Sequence, residues 1–266
     1  TYHPHFLCYV SQFFRNYTGF SETVPKPLLF LFAVVYCENK PRNREDTAVE
    51  KKQRIVVKVG TSTLTHESGD LDLRSMDHLA RTLSDLEGMG HEIILVSSGA
   101  IAVGTAKMGL PERPKELRMK QAAAAVGQCQ MMHIYDKFFA EYNHTVAQIL
   151  LTGDDIEEED SAEHLRSTFS ALLEMGVIPV VNENDSVSSA EIETGHHKIL
   201  GDNDTLSSMV ARLCKADLLV LMSDINGLYN ADPKTHSDAK LLHHVSEITP
   251  EILEMAGGAG TWRGTG

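Results

Sequence analysis

Basic residues are scarce in this chain. Lysine and arginine number 24 against 37 acidic residues, a formal net charge of -13. General nucleic-acid binding needs a basic field and is disfavoured. An anionic small molecule is not excluded, because a few local cations and helix N-termini outweigh a distant negative field. Cysteine is also sparse: Cys8, Cys37, Cys129 and Cys214 are too widely spaced for a zinc or redox motif. Of the 13 histidines, the adjacent pairs His196-His197 and His243-His244 point to opposite faces of any strand, so neither pair chelates alone and no metal site is expected. The apolar run "PLLFLFAVVYC", Pro27 to Cys37, falls short of the roughly 20 residues that span a bilayer. It also lies far from the start and lacks a small-residue cleavage site, so a cytoplasmic protein without membrane contact is expected.

Residues 1–50 hold six of the nine phenylalanines and end in the polar stretch "ENKPRNREDTAVEKKQ", which runs past them. They read as an irregular, poorly ordered extension ahead of a regular domain over 51–266. In that domain the apolar strands "RIVVKV", "HEIILVS", "TVAQILL", "VIPVV" and "ADLLVLMS" alternate with helical patterns over Asp72–Met89, about Lys115–Tyr142, the segment carrying Leu165 to Leu173, and "DNDTLSSMVARLCK". Asp160 and Glu163 fit a capping box for the third of these helices. Ser188 to Leu200 reads as a hairpin. Strands apolar throughout, with amphipathic helices between them, predict an α/β three-layer sandwich around a mostly parallel sheet.

Ligands of such sheets bind at the carboxyl ends of the strands. The residues there are Lys58-Val59-Gly60-Thr61-Ser62, Ser97-Ser98-Gly99, Asn182-Glu183-Asn184-Asp185 and Ser223-Asp224. Lysine followed by a glycine-hydroxyl turn suits phosphate, since Gly60 lets the backbone approach and exposed N–H groups cradle oxygens. There is no G-x-x-x-x-G-K-[ST], and no G-x-G-x-x-G after the first strand, so a P-loop and a dinucleotide fold are both disfavoured. Two carboxylates and two amides packed into "NEND", straight after an apolar strand, are costly without a ligand or a cation. "GDNDT" repeats the theme at a helix start, where an N-cap aspartate accounts for one of its two carboxylates.

These motifs resemble the amino-acid kinase family. The matching stretches are "VVKVGTS", "VSSGAIAVG", "AAVGQ", "QILLT", "VIPVVNENDSV", "GDNDTLS", "LLVLMSDINGLYNADP" and "GGAGTWRGTG", from about Arg54 to Gly266. The resemblance is to the branch that phosphorylates the glutamate side-chain carboxylate with ATP, the first step towards proline. It implies that Lys58 and Asp204 are catalytic, the first on the ATP phosphates and the second orienting the lysines. It implies that Ser98, Asp185 and Asn203 hold glutamate. It places Lys58, Gly60, Ser223, Asp224, Thr265 and Gly266 along ATP, with Mg2+ bridging the phosphates. Proline as a competing inhibitor and association into a homo-oligomer are further expectations.

The sequence departs from the family in two places. Relatives continue beyond "GTG" to a second phosphate-binding lysine, whereas this chain ends at Gly266, so it reads as C-terminally truncated, a fragment of a longer product. The insertion "ETGHHKIL" lengthens the loop before "GDND". A catalytically dead regulator that binds glutamate, proline or nucleotide is the alternative function.

Overall fold

A computed structural model describes residues 6–10, 31–37, 52–66, 68–187, 203–223, 227–233 and 235–255. In chain order the elements are β1 (Phe6–Val10), β2 (Leu31–Cys37), β3 (Arg54–Val59), α1 (Thr61–Leu64), α2 (Leu73–Gly88), β4 (Glu92–Val96), α3 (Ala100–Lys107), α4 (Leu117–Glu141), β5 (Thr145–Leu151), α5 (Gly153–Glu157), α6 (Glu159–Glu174), β6 (Val177–Glu183), α7 (Asn203–Leu213), β7 (Leu218–Ser223), β8 (His244–Val245) and α8 (Pro250–Met255).

The sheet runs β5-β6-β4-β3-β7-β2-β1-β8. The first five strands in that order are parallel to one another. Two stretches of the N-terminal extension, β1 and β2, continue the sheet in antiparallel fashion beyond β7. The central strands show why a continuous apolar run was needed. Ile55, Val57 and Val59 of β3 face one core with Ile93 and Leu95 of β4, under α2, α3 and α4. Val56 faces a second core with Ile94 and Val96, under α6 and α7. Side chains alternate between the faces of a strand, so a sheet covered on both sides needs apolar residues at every position. This is the three-layer α/β sandwich that the alternating pattern predicts.

Local signals set most helix ends. Asp72 caps α2 by accepting hydrogen bonds from the backbone N–H of Arg74 at 3.1 Å and Ser75 at 3.2 Å. Gly90, with φ +95°, turns the chain from α2 towards β4. The capping box is misplaced by the sequence reading. It sits at Thr152 and Asp155 of α5, and α6 starts at Glu159 with no side-chain cap on Glu158. Asp160 and Glu163 lie within the first turns of α6, where Glu163 instead accepts from Arg166 at 2.9 Å. The expected hairpin over 188–200 and the insertion "ETGHHKIL" lie outside the described residues. Among the described residues, no helix is long and apolar enough to cross a membrane.

Candidate active site

Strand parity decides where Lys58 points. It shares a face with Val56, and Val56 packs in the core that α7 covers with Leu206 and Val210. The lysine side chain therefore leaves the sheet towards the first turn of α7. There its ammonium meets Asp204, with Nζ 2.7 Å from Oδ1. The Lys58 side chain is 7% exposed and that of Asp204 35%. Buried lysine is rare unless paired; this one is paired, and its head lies at the open end of the strand. A Cβ on Gly60 would stand 3.7 Å from Lys58 Nζ, so a longer side chain there would fill the space in front of the ammonium.

Asn203, next to Asp204, links this ion pair to the adjoining strand ends. Its Nδ2 donates to Ser98 Oγ at 2.7 Å, to the Ser97 carbonyl at 3.1 Å and, more weakly, to Asn182 Oδ1 at 3.4 Å. Asn182, the sixth residue of β6, is 1% exposed. It accepts from the backbone N–H of Glu183 and donates from Nδ2 to Gln128 Oε1, both at 2.9 Å. Ser97 Oγ shares a 2.9 Å bond with Tyr135 OH, and burial drives the Tyr135 hydroxyl pKa far above the ordinary tyrosine range. A buried polar chain thus runs from Tyr135 and Gln128 on α4, through the ends of β4 and β6, to α7 and Lys58. Each of these links satisfies a group that would be costly to bury alone.

Asp185 stands one step away. It lines a pocket of about 400 Å³ with Ala100, Gln128, Gln148, Glu183 and Asn184. Neither Lys58 nor Asp204 lines that pocket. Burial raises the Asp185 pKa above its ordinary 3.8, against a smaller opposing pull from the Arg113 guanidinium. The sign for stability follows. A carboxyl whose folded pKa is raised favours folding at low pH and costs stability as pH rises through the folded value. Asp185→Asn is therefore expected to melt above the parent at pH 7. The gap should close as pH falls below 3.8. Melting curves across pH 3 to 8 check this, and an Asn variant less stable than the parent at pH 7 would contradict it.

The structure thus brings Lys58, Gly60, Asp204, Asn203 and Ser98 together and sets Asp185 in the neighbouring pocket. Ser223 ends β7, at the same edge of the sheet, and Asp224, Thr265 and Gly266 lie outside the described residues. Sequence reasoning assigned no role to Tyr135, Gln128 or Arg113. Tyr135 and Gln128 are seven positions apart, two turns on one helix face, a spacing that was readable. Arg113 follows α3 in "LPERPKE" and carries no periodic signal. Among the described residues, no group of three or more His, Cys, Asp or Glu side chains is disposed to hold a metal.

Residues 53–261 match the family model described as "Amino acid kinase family". The chain is similar to "Glutamate 5-kinase" of Clostridium perfringens, 54% identical over 219 residues that cover 82% of this chain and 81% of that one. It is similar to "Glutamate 5-kinase" of Carboxydothermus hydrogenoformans, 54% identical over 215 residues covering 80% of this chain and 56% of that one. Among solved structures, it is similar to the UMP kinase of Ureaplasma parvum at 13% identity and a TM-score of 0.49, covering 78% of this chain and 86% of that one. With nearly all of the sequence after the extension matched, and at such identity, the chain belongs to the amino acid kinase family and is itself a kinase.

Proposed function

We propose that this kinase transfers the γ-phosphoryl group of ATP to the side-chain carboxylate of L-glutamate, giving glutamyl 5-phosphate, the entry to proline synthesis. The observation that carries the reading is the link from Lys58 through Asp204, Asn203 and Asn182 to Gln128, which lines the pocket holding Asp185, in a chain about half identical to glutamate 5-kinases. A glutamate carboxylate has a pKa of about 4.3 and is ionised at neutral pH. It therefore needs no general base. One of its oxygens forms the new bond to the γ-phosphorus while the bond to the β-bridging oxygen breaks, and ADP leaves with that electron pair.

The obstacle is charge, since an anion must approach a triphosphate. Phosphoryl transfer is catalysed chiefly by positioning and by cations that offset charge on the transferring oxygens. In this proposal Lys58 supplies one such cation, held in direction by Asp204, and Gly60 leaves room for the phosphates. Magnesium enters as the ion that ATP carries on its phosphates. Asp185 receives the substrate ammonium group, and Ser98 and Asn203 hydrogen-bond its polar ends. Ser223, Asp224, Thr265 and Gly266 are the proposed nucleotide contacts at the far side. Proline as inhibitor, a cytoplasmic location, assembly into a homo-oligomer and the division at residue 50 into extension and kinase domain belong to the same proposal. The relatives are named for a kinase activity, and nothing observed favours the catalytically dead regulator.

The test is direct. Purified full-length protein is incubated with ATP, magnesium, glutamate and hydroxylamine, which converts an acyl phosphate to a hydroxamate. Hydroxamate is expected with glutamate. If it forms with aspartate or N-acetylglutamate and not with glutamate, the substrate assignment is wrong and a sister activity is right.

A further inference from the structure

The amide groups of the buried chain cannot be reversed one at a time, because main-chain groups anchor it. The Ser97 carbonyl only accepts, so the atom of Asn203 that meets it must be Nδ2. The Glu183 backbone N–H only donates, so the atom of Asn182 that meets it must be Oδ1. The other end of Asn182 is then Nδ2, and its partner on Gln128 must be the acceptor Oε1. The two N–H donors of Gln128 Nε2 are left for the pocket, where Gln128 sits beside Asp185. Gln128 is only 9% exposed and leaves a helix whose adjoining Gly127 packs closely against the backbone of α3. Its polarity and position are thus both set before any ligand arrives.

The pocket presents carboxylates at Asp185 and Glu183 together with an oriented pair of donors at Gln128. An acidic patch alone would suit a cation. Acidic groups next to fixed donors suit a zwitterion, with ammonium on one side and carboxylate on the other. Lys58 and Asp204 lie outside this lining. A substrate whose head occupies the pocket would extend its far end towards Lys58, past the Ser98–Asn203 hydrogen bond at the rim. We infer that Gln128 is a specificity-determining residue that binds the α-carboxylate of the acidic amino-acid substrate through Nε2, opposite the ammonium held at Asp185. This rests on the proposed function for the identity of the substrate, but the inference itself concerns only the head group that all α-amino acids share.

Gln128→Glu separates binding from packing. It keeps an oxygen for Asn182 and nearly the same shape, and it replaces the two donors with an anionic oxygen. Binding is read by titration calorimetry with the full chain, using glutamate and its α-amide, in which the α-carboxylate is a carboxamide. A melting curve for each variant confirms folding. Loss of a charged hydrogen bond, with repulsion added, is expected to weaken glutamate binding about 100-fold. The α-amide can donate to the new carboxylate, so its affinity should hold or improve. Glutamate affinity within about two-fold of the parent would overturn the inference. So would an equal loss for both ligands, which is the mark of a merely structural residue. If the parent binds aspartate in place of glutamate, the substrate assignment fails while the same comparison, run with aspartate and its α-amide, still decides the role of Gln128. A parent that binds no acidic amino acid overturns both.

Discussion

Replacing Lys58 with methionine should lower phosphoryl transfer by on the order of 10³-fold or more while leaving the protein folded. Methionine keeps the apolar stem that crosses the core face of α7 and deletes only the charge. The argument for a large effect is that the charge sits in a nearly closed position: the Lys58 side chain is 7% exposed, so little water screens it from an incoming phosphate. The argument for a small stability cost is that Asp204, left without its cation, is 35% exposed and can rehydrate. A loss below about 2 kcal/mol is expected, well under that for a fully buried pair. Lys58→Arg should fare little better than methionine, because a planar fork cannot take the place of a point charge beside Asp204. Hydroxamate formation measures the rate, and titration with glutamate should show binding close to that of the parent. Turnover within threefold of the parent would remove Lys58 from the chemistry and, with it, the reason for a lysine at the mouth of β3.

Much of this was legible in the residues, for a definable reason. The central parallel strands announce themselves because both their faces are buried, so "RIVVKV" and "VIPVV" have no polar alternation to confuse the reading. The rim was legible too, because the strand ends follow automatically and polar residues there stand out against the runs before them. The partner of Lys58 was not given by spacing. Asp204 lies 146 positions along the chain from it, and only the parity of β3 and the placing of α7 on the same face bring them together. The capping box was misread because two acidic clusters, "TGDD" and "EEEDSAE", lie close together, and the shorter helix claimed the motif. Tyr135 escaped notice because an aromatic on an amphipathic helix is usually core. It is core here, fully buried, but its hydroxyl also holds Ser97. "AAVGQ" was recognised as a motif, and its glycine and glutamine turn out to do unrelated things.

That glycine leads to the largest stability effect expected of any single methyl group. Gly104 of α3 and Gly127 of α4 face each other where the two helices cross. A Cβ on Gly127 would fall inside the Ala100 carbonyl oxygen and lie 2.6 Å from Gly104 N; one on Gly104 would fall inside the Ala123 carbonyl oxygen. These neighbours are backbone, so no rotamer change relieves the overlap and the helices must part. Overpacking usually costs 1–3 kcal/mol, but that range includes sites where side chains yield. Gly127→Ala is expected to exceed about 4 kcal/mol, seen as a melting temperature lower by about 10 °C or as insoluble protein. The site should suffer with the fold, because α3 begins two residues after Ser98 and Gln128 follows Gly127 directly. Gly88→Ala is the matching control: it ends α2, and a Cβ there meets nothing within 4 Å. It should be neutral or stabilising by up to about 1 kcal/mol, from the lower entropy cost of alanine in a helix. If Gly127→Ala melts within about 2 °C of the parent, the two backbones do not touch in solution. The wall that fixes Gln128 and Ser98 in place would then have to be something other than this helix crossing.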